Sequence, residues 1–164
     1  MPTKRKAFTL FELLMVMMIL VIVMGAAVAA FIAGAQVMNT EMNTTDNLIE
    51  ANRGMDNMSG DMRNALDISA ATATSITFWG YDNNGNGSKE ASENITYSWD
   101  GTANGNLIKT TAGTSFKVCR NVKNFTLTYD NGTISLIKQI NIKLSVSQGP
   151  DISTLETTVK PRNL

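Results

Sequence analysis

Two places in the sequence of 164 residues hold side chains whose types and spacing could do chemistry. The first is D-N-N-G-N-G-S-K-E-A-S-E, residues 82–93. Calcium takes roughly six to eight oxygen ligands, and the calcium loop draws them from its first, third, fifth, seventh, ninth and twelfth positions, with glycine at the sixth. Asp82, Asn84 and Asn86 supply oxygens at the first three of those positions, and Gly87 stands at the sixth. Ser88 offers a backbone carbonyl, Glu90 a water-mediated contact and Glu93 a bidentate carboxylate. Two asparagines in place of charged ligands put the affinity of such a site near the weak extracellular range, about 10⁻⁴–10⁻³ M. Asp, Asn and Gly also build ordinary hairpin loops, and strand-like rather than helical patterns flank this one. The loop reads first as a connection, with weak calcium binding as the alternative and no other cofactor expected.

The second place is Glu12, a single acid at the head of an apolar run. From Leu13 to Ala35 no charged or strongly polar side chain occurs. As a helix that stretch measures roughly 34 Å at about 1.5 Å per residue, enough to cross a hydrocarbon core of about 30 Å. A carboxylate at the bilayer centre costs on the order of 2.5–3.5 kcal/mol, less near the interface, and such groups usually have a partner. No basic side chain shares the Glu12 face. A cut between Ala7 and Phe8 would make one, because the new α-amine at Phe8 lies four residues before Glu12 and i, i+4 positions share a helix face.

Other chemistries are excluded or restricted. The sequence has no histidine, which removes Ser-His-Asp and Cys-His nucleophiles along with the commonest metal ligand. Cys119 is the one cysteine, so an intramolecular disulfide is impossible. In the strand-like stretch FKVCRNV it reads as a buried small hydrophobe. No enzymatic function is expected.

The elements that must position these residues follow from periodicity. Past the apolar run, Met38, Met42, Thr45, Ile49, Met55, Met58, Met62 and Leu66 recur near the helical period. No proline lies between Pro2 and Pro150, so one helix is expected from about Phe8 to Leu66, with a membrane half and a half packed on a head. From Ser75 the period becomes two. Ile76 and Phe78, then Ile95, Tyr97 and Trp99, then Phe125, Leu127 and Tyr129, then Ile140, Ile142, Leu144 and Val146 alternate, with Asp130-Asn131-Gly132 expected as a hairpin turn. The expected class is α+β: a long N-terminal helix on a C-terminal antiparallel sheet of about five to seven strands. The segments are 1–7 as leader, 8–35 as transmembrane helix, 36–68 as its amphipathic continuation and 69–164 as the sheet head.

The order K-R-K-A-F-T-L-F-E-L-L-M-V-M-M-I-L closely resembles the signal of type IV prepilins and type II secretion pseudopilins. The resemblance implies a pilin-like fold, cleavage after Ala7 by a membrane prepilin peptidase and N-methylation of Phe8. It also implies pairing of Glu12 with the Phe8 amine of a neighbouring subunit during fibre assembly. Ala7 departs from the glycine usual in that family. The lone cysteine departs from the disulfide loop of many major pilins and points to a minor subunit. More loosely, N-V-K-N-F-T-L-T-Y, I-K-Q-I-N-I-K-L and T-T-V-K-P-R-N-L resemble the heads of PilW-like minor pilins and J-type minor pseudopilins.

Lys4, Arg5 and Lys6 precede the apolar run, so its N-terminus is expected in the cytoplasm and the rest across the bacterial inner membrane, then in a periplasmic or cell-surface fibre. Expected partners are other pilins or pseudopilins, the peptidase and the inner-membrane assembly platform. Two further readings stay open. Ala27-Val28-Ala29 has the form of a signal-peptidase site, and an uncleaved anchor would carry an extracytoplasmic binding module for calcium, another ligand or DNA. The charge is polarised: residues 36–100 hold three basic and ten acidic side chains, and residues 101–164 eight and three. That polarity suits subunit contacts, and a basic half could attract nucleic acid.

Overall fold

With no proline to remove a backbone donor, nothing interrupts the first helix, and α1 runs for 54 residues, Leu10–Arg63. The computed structural model describes residues 8–148 and 151–163; the expected leader, Ala7 included, lies outside the described residues. The chain divides into two compact units, Met1–Glu41 and Met42–Leu164.

In the first unit every described side chain is exposed, including Ile22 at 68% and Phe31 at 78%. An 18-residue window here has a mean hydropathy of 2.9 with 0% of it buried. This is the one helix, among the described residues, that is long and apolar enough to cross a membrane. Among the described residues nothing covers these side chains, so an apolar medium or other apolar helices must supply the cover.

In the second unit the rest of α1 lies against a seven-stranded antiparallel sheet whose spatial order follows the chain: β1 (Asp67–Ala71), β2 (Ser75–Trp79), β3 (Asn94–Trp99), β4 (Gly105–Thr111), β5 (Thr114–Tyr129), β6 (Ile140–Gln148) and β7 (Asp151–Val159). Alternation sends one side of each strand inward, and Ile76, Phe78, Ile95, Tyr97, Phe125, Leu127, Ile142 and Leu144 are all buried. Each such burial is worth about 1.5–3 kcal/mol. The β5–β6 connection is wider than the turn expected at Asp130-Asn131-Gly132. It runs from Asp130 to Gln139 through the short 3-10 helix Ile134–Leu136, because Ile137, 3% exposed, is drawn into the core. The Asp130 carboxylate closes this loop by accepting the Lys138 N–H at 3.0 Å.

The buried face of α1 differs from the expected stripe. Met55, Met58 and Met62 are buried, but Met38, Met42 and Ile49 are exposed, and Asn47, Ala51 and Gly54 take the inner positions. The reason is proximity: a Cβ on Gly54 would stand 2.9 Å from Cys119 Cβ and 3.1 Å from Leu144 Cδ2. Helix and sheet approach so closely that only small residues fit there. Cys119 is 0% exposed, and burial pushes its thiol up to about 12, with the Glu50 carboxylate adding to the shift.

Polar contacts join α1 to the basic part of the sheet. Arg120 donates its backbone N–H to Glu50 Oε2 at 3.2 Å and its guanidinium to Oε1 at 2.6 Å. Asp61 Oδ2 accepts the Tyr97 hydroxyl at 2.5 Å and holds Lys109 Nζ at 2.5 Å. Burial raises the Tyr97 phenol well above its ordinary value, and the Asp61 carboxylate raises it further. A third ion pair, Lys89–Asp67, lies outside α1. Two of these three pairs therefore connect the acidic and basic parts of the sequence.

Two predictions follow from this packing. Gly54→Ala lowers stability by about 1–3 kcal/mol through overpacking, whereas Gly60→Ala, with nothing within 4 Å of its new Cβ, leaves it unchanged or raises it by up to about 1 kcal/mol through helix propensity; thermal melting distinguishes them. For Glu50, partial burial alone would raise the carboxyl, but the hydrogen bonds and charge of Arg120 outweigh it and hold the group below its ordinary 4.5. A lowered folded-state pKa contributes stability above the unfolded value and loses it as pH falls through the folded one. Glu50→Gln should therefore cost about 1 kcal/mol at pH 7, and the gap from wild type should close in acid below the lowered value, as read by denaturant titration across pH.

Candidate functional site

A helix start leaves its first backbone N–H groups without intrahelical partners, and a Ser/Thr residue followed three residues later by Glu can satisfy two of them reciprocally. Thr9 and Glu12 do this. Thr9 Oγ1 accepts the Glu12 N–H at 3.3 Å, while Glu12 Oε2 accepts the Thr9 N–H and the Thr9 hydroxyl, each at 3.0 Å. The first helical bond follows, from the Leu13 N–H to the Thr9 carbonyl at 3.2 Å. Glu12 thus has a hydrogen-bonding partner inside its own chain, a hydroxyl and an amide rather than a basic side chain. The signal was present in T-L-F-E, the spacing of a capping box.

This arrangement leaves Phe8 just before the cap, 81% exposed. One Glu12 oxygen, Oε2, takes both Thr9 bonds. A carboxylate has a second oxygen and spare lone pairs, so the capped group retains the chemistry to receive an ammonium.

The Asp82–Glu93 segment connects β2 to β3 and ends in the short 3-10 helix Ala91–Glu93. Asp82 Oδ1 accepts the Gly85 and Asn86 N–H groups at 2.7 and 3.2 Å, and Oδ2 accepts that of Gly87 at 2.8 Å. Asn84 Oδ1 takes the Asn86 N–H and Asn86 Oδ1 that of Ser88, at 3.1 and 2.7 Å. Gly85 and Gly87 have φ of +70° and +68°, a conformation that costs glycine little. Oxygens of Asp82, Asn84 and Asn86 are thus all oriented by the loop backbone.

The other two carboxylates are placed differently from each other. Glu90 Oε1 accepts the side-chain amides of Asn84 and Asn86 at 2.8 and 2.9 Å. Glu93 is 0% exposed and ties the loop to the sheet, accepting Trp79 Nε1 at 3.0 Å and the Asn83 N–H at 2.7 Å. Among the described residues no group of three or more His, Cys, Asp or Glu side chains stands close enough together to hold a metal. Asp82 and Glu90 accept donors of the loop itself, and Glu93 accepts one donor from the loop and one from β2. A mostly polar recess of about 460 Å³ opens elsewhere on the unit, lined by Asp46, Ile49, Glu50, Arg120, Asn121 and Gln148, with the Glu50–Arg120 pair in its wall.

Comparison with known families places one segment. A family model described as the prokaryotic N-terminal methylation motif matches residues 2–28, the stretch that holds Ala7, Phe8, Thr9 and Glu12. No curated protein and no solved structure matches the chain significantly.

Proposed function

We propose that this chain is a minor pilin or pseudopilin: cut after Ala7 by a prepilin peptidase, N-methylated at Phe8, and incorporated at or near the tip of a type IV pilus or type II secretion pseudopilus. The observation that carries this reading is the methylation motif over residues 2–28, overlapping a helix whose apolar part finds no cover among the described residues. The role is structural and not enzymatic. Residues 1–7 are then a leader, 8–35 the membrane and assembly helix, 36–68 its amphipathic continuation and 69–164 the head. The looser resemblance of the head to PilW-like minor pilins and J-type minor pseudopilins supports a minor subunit. Before assembly the chain sits in the inner membrane with its N-terminus in the cytoplasm, and its partners are the peptidase, the assembly platform and other pilins or pseudopilins.

In this reading Glu12 acts twice. In the lone subunit the Thr9 cap holds it, which lowers the cost of a carboxylate among apolar side chains. In the fibre it also receives the Phe8 amine of a neighbour, a pair that low dielectric strengthens and whose loss leaves a charge uncompensated. Glutamine also serves in a capping box, so Glu12→Gln separates the two roles. We expect the variant to keep its helix content and membrane level while its incorporation into fibres falls at least tenfold. Mass spectrometry of the mature N-terminus gives the accompanying check: N-methylated Phe8 supports the pathway, whereas a start at Ala30 or an intact Met1 overturns it.

A second reading is a membrane-anchored module whose Asp82–Glu93 loop binds calcium. What favours it is the orientation of the Asp82, Asn84 and Asn86 oxygens between two left-handed glycines. Calcium entry requires Asn84 and Asn86 to release Glu90. At about 10 mM calcium such a site would add roughly 1–3 kcal/mol of stability, and an unchanged melting temperature of the full chain in detergent removes this reading.

A further inference from the structure

Asparagine followed by glycine is a reactive pair, because glycine has no side chain to keep its backbone nitrogen away from the asparagine side-chain carbonyl. The sequence holds four such pairs: Asn84-Gly85, Asn86-Gly87, Asn104-Gly105 and Asn131-Gly132. In three of them the glycine N–H is engaged. Asp82 accepts that of Gly85 through Oδ1 at 2.7 Å and that of Gly87 through Oδ2 at 2.8 Å. The Thr102 carbonyl accepts that of Gly105 at 3.0 Å, and Gly105 is buried. The fourth pair differs. Asn131 and Gly132 are both exposed, and the Gly132 N–H has no acceptor among the described residues.

The turn around each asparagine does not separate the pairs. Asn131 Oδ1 accepts the Thr133 N–H at 2.9 Å, just as Asn84 Oδ1 accepts that of Asn86 at 3.1 Å and Asn86 Oδ1 that of Ser88 at 2.7 Å. Each bond closes an Asx turn, which folds the side-chain carbonyl over the intervening glycine nitrogen and polarises it. What differs is the nucleophile and the leaving group. The Gly85 and Gly87 nitrogens must first give up a bond to a carboxylate, which is far too weak a base to take an amide proton and instead holds it in place. The side-chain amides of Asn84 and Asn86 are also tied, to Glu90 Oε1 at 2.8 and 2.9 Å. Breaking one hydrogen bond to a charged acceptor slows a reaction by roughly 10- to 100-fold.

We propose that Asn131-Gly132 is a site of spontaneous self-modification, and that Asp82 protects the two like pairs in the β2–β3 loop. The Gly132 nitrogen gives its proton to solvent and attacks Asn131 Cγ. The new C–N bond closes a five-membered succinimide as the Cγ–Nδ2 bond breaks, and Nδ2 departs as ammonia. Water then adds to one of the two ring carbonyls and reopens the ring, as aspartate or as isoaspartate, whose main chain runs through the former side chain. Water is the one co-reactant, and no electrons change hands. Either product sets a second carboxylate beside Asp130, whose own carboxylate closes the β5–β6 connection on the Lys138 N–H. The inference stands independently of the fibre reading.

Incubating the full chain in detergent in mildly alkaline buffer, with tryptic peptide mass spectrometry at intervals, tests it. Conversion of amide to acid at Asn131 should outpace that at Asn84, Asn86 and Asn104 by about tenfold or more. In urea, where the fold no longer holds the glycine nitrogens, the four rates should converge. Asp82→Ala should raise conversion at Asn84 and Asn86 toward the Asn131 rate and leave Asn104 and Asn131 as they were. A folded chain in which Asn131 converts no faster than the other three overturns the assignment. The same ranking in urea as in the folded chain overturns it too, since local sequence would then set the order, and unchanged rates at Asn84 and Asn86 in Asp82→Ala overturn the protecting role of Asp82.

Discussion

The sheet unit depends on how closely α1 approaches β5, a distance set at Gly54. With hydrogen in place of a side chain there, Cys119 and Leu144 come into direct contact with the helix backbone. That approach sinks Met58 and Met62 to 0% exposure and brings Glu50 and Asp61 within reach of Arg120 and of Lys109 and Tyr97. A core packed to interior density tolerates little change in spacing. If the helix stood off by the width of a methyl group, both the methionine contacts and the flanking hydrogen bonds would weaken together.

The same helix meets two different demands along its length. Residues in the first unit carry large apolar side chains on all sides, and no described residue covers those side chains. Residues in the second unit bury one side and keep Arg53, Asp56 and Asn57 in water. One continuous α1 can serve both because its backbone bonds are satisfied locally in either medium. The vulnerable point is the start, where N–H groups lack partners, and there Thr9 and Glu12 satisfy one another. A carboxylate that looks misplaced in an apolar run is, at the level of local structure, a cap; its proposed meeting with a neighbour's amine builds on that placement.

Charge is organised on the same economy of contacts. The acidic stretch of residues 36–100 and the basic stretch of residues 101–164 have the charge polarity of surfaces that meet a partner. Two pairs instead join them inside one unit, Glu50 to Arg120 and Asp61 to Lys109. The loop acids are likewise engaged, with Glu93 buried under Trp79 and Glu90 receiving two asparagine amides.

Read alone, the sequence determined the helix, the sheet and the methylation-motif N-terminus, because each rests on local order: an apolar run without proline, period-two alternation in the later segments, and basic residues followed by Phe-Thr-Leu-x-Glu. The capping box was equally local and legible in Thr9-Leu-Phe-Glu12. Only the tertiary structure decided which side of the amphipathic half turns inward, since Gly54, Ala51 and Asn47 are chosen for closeness and carry no hydropathy signal. It also decided that Ile137 widens the β5–β6 connection and that β7 ends the sheet, because strand neighbours and edges are set by pairing between residues far apart in the chain. Periodicity reports which residues share a face; what that face meets, and how closely, depends on the shape of the partner.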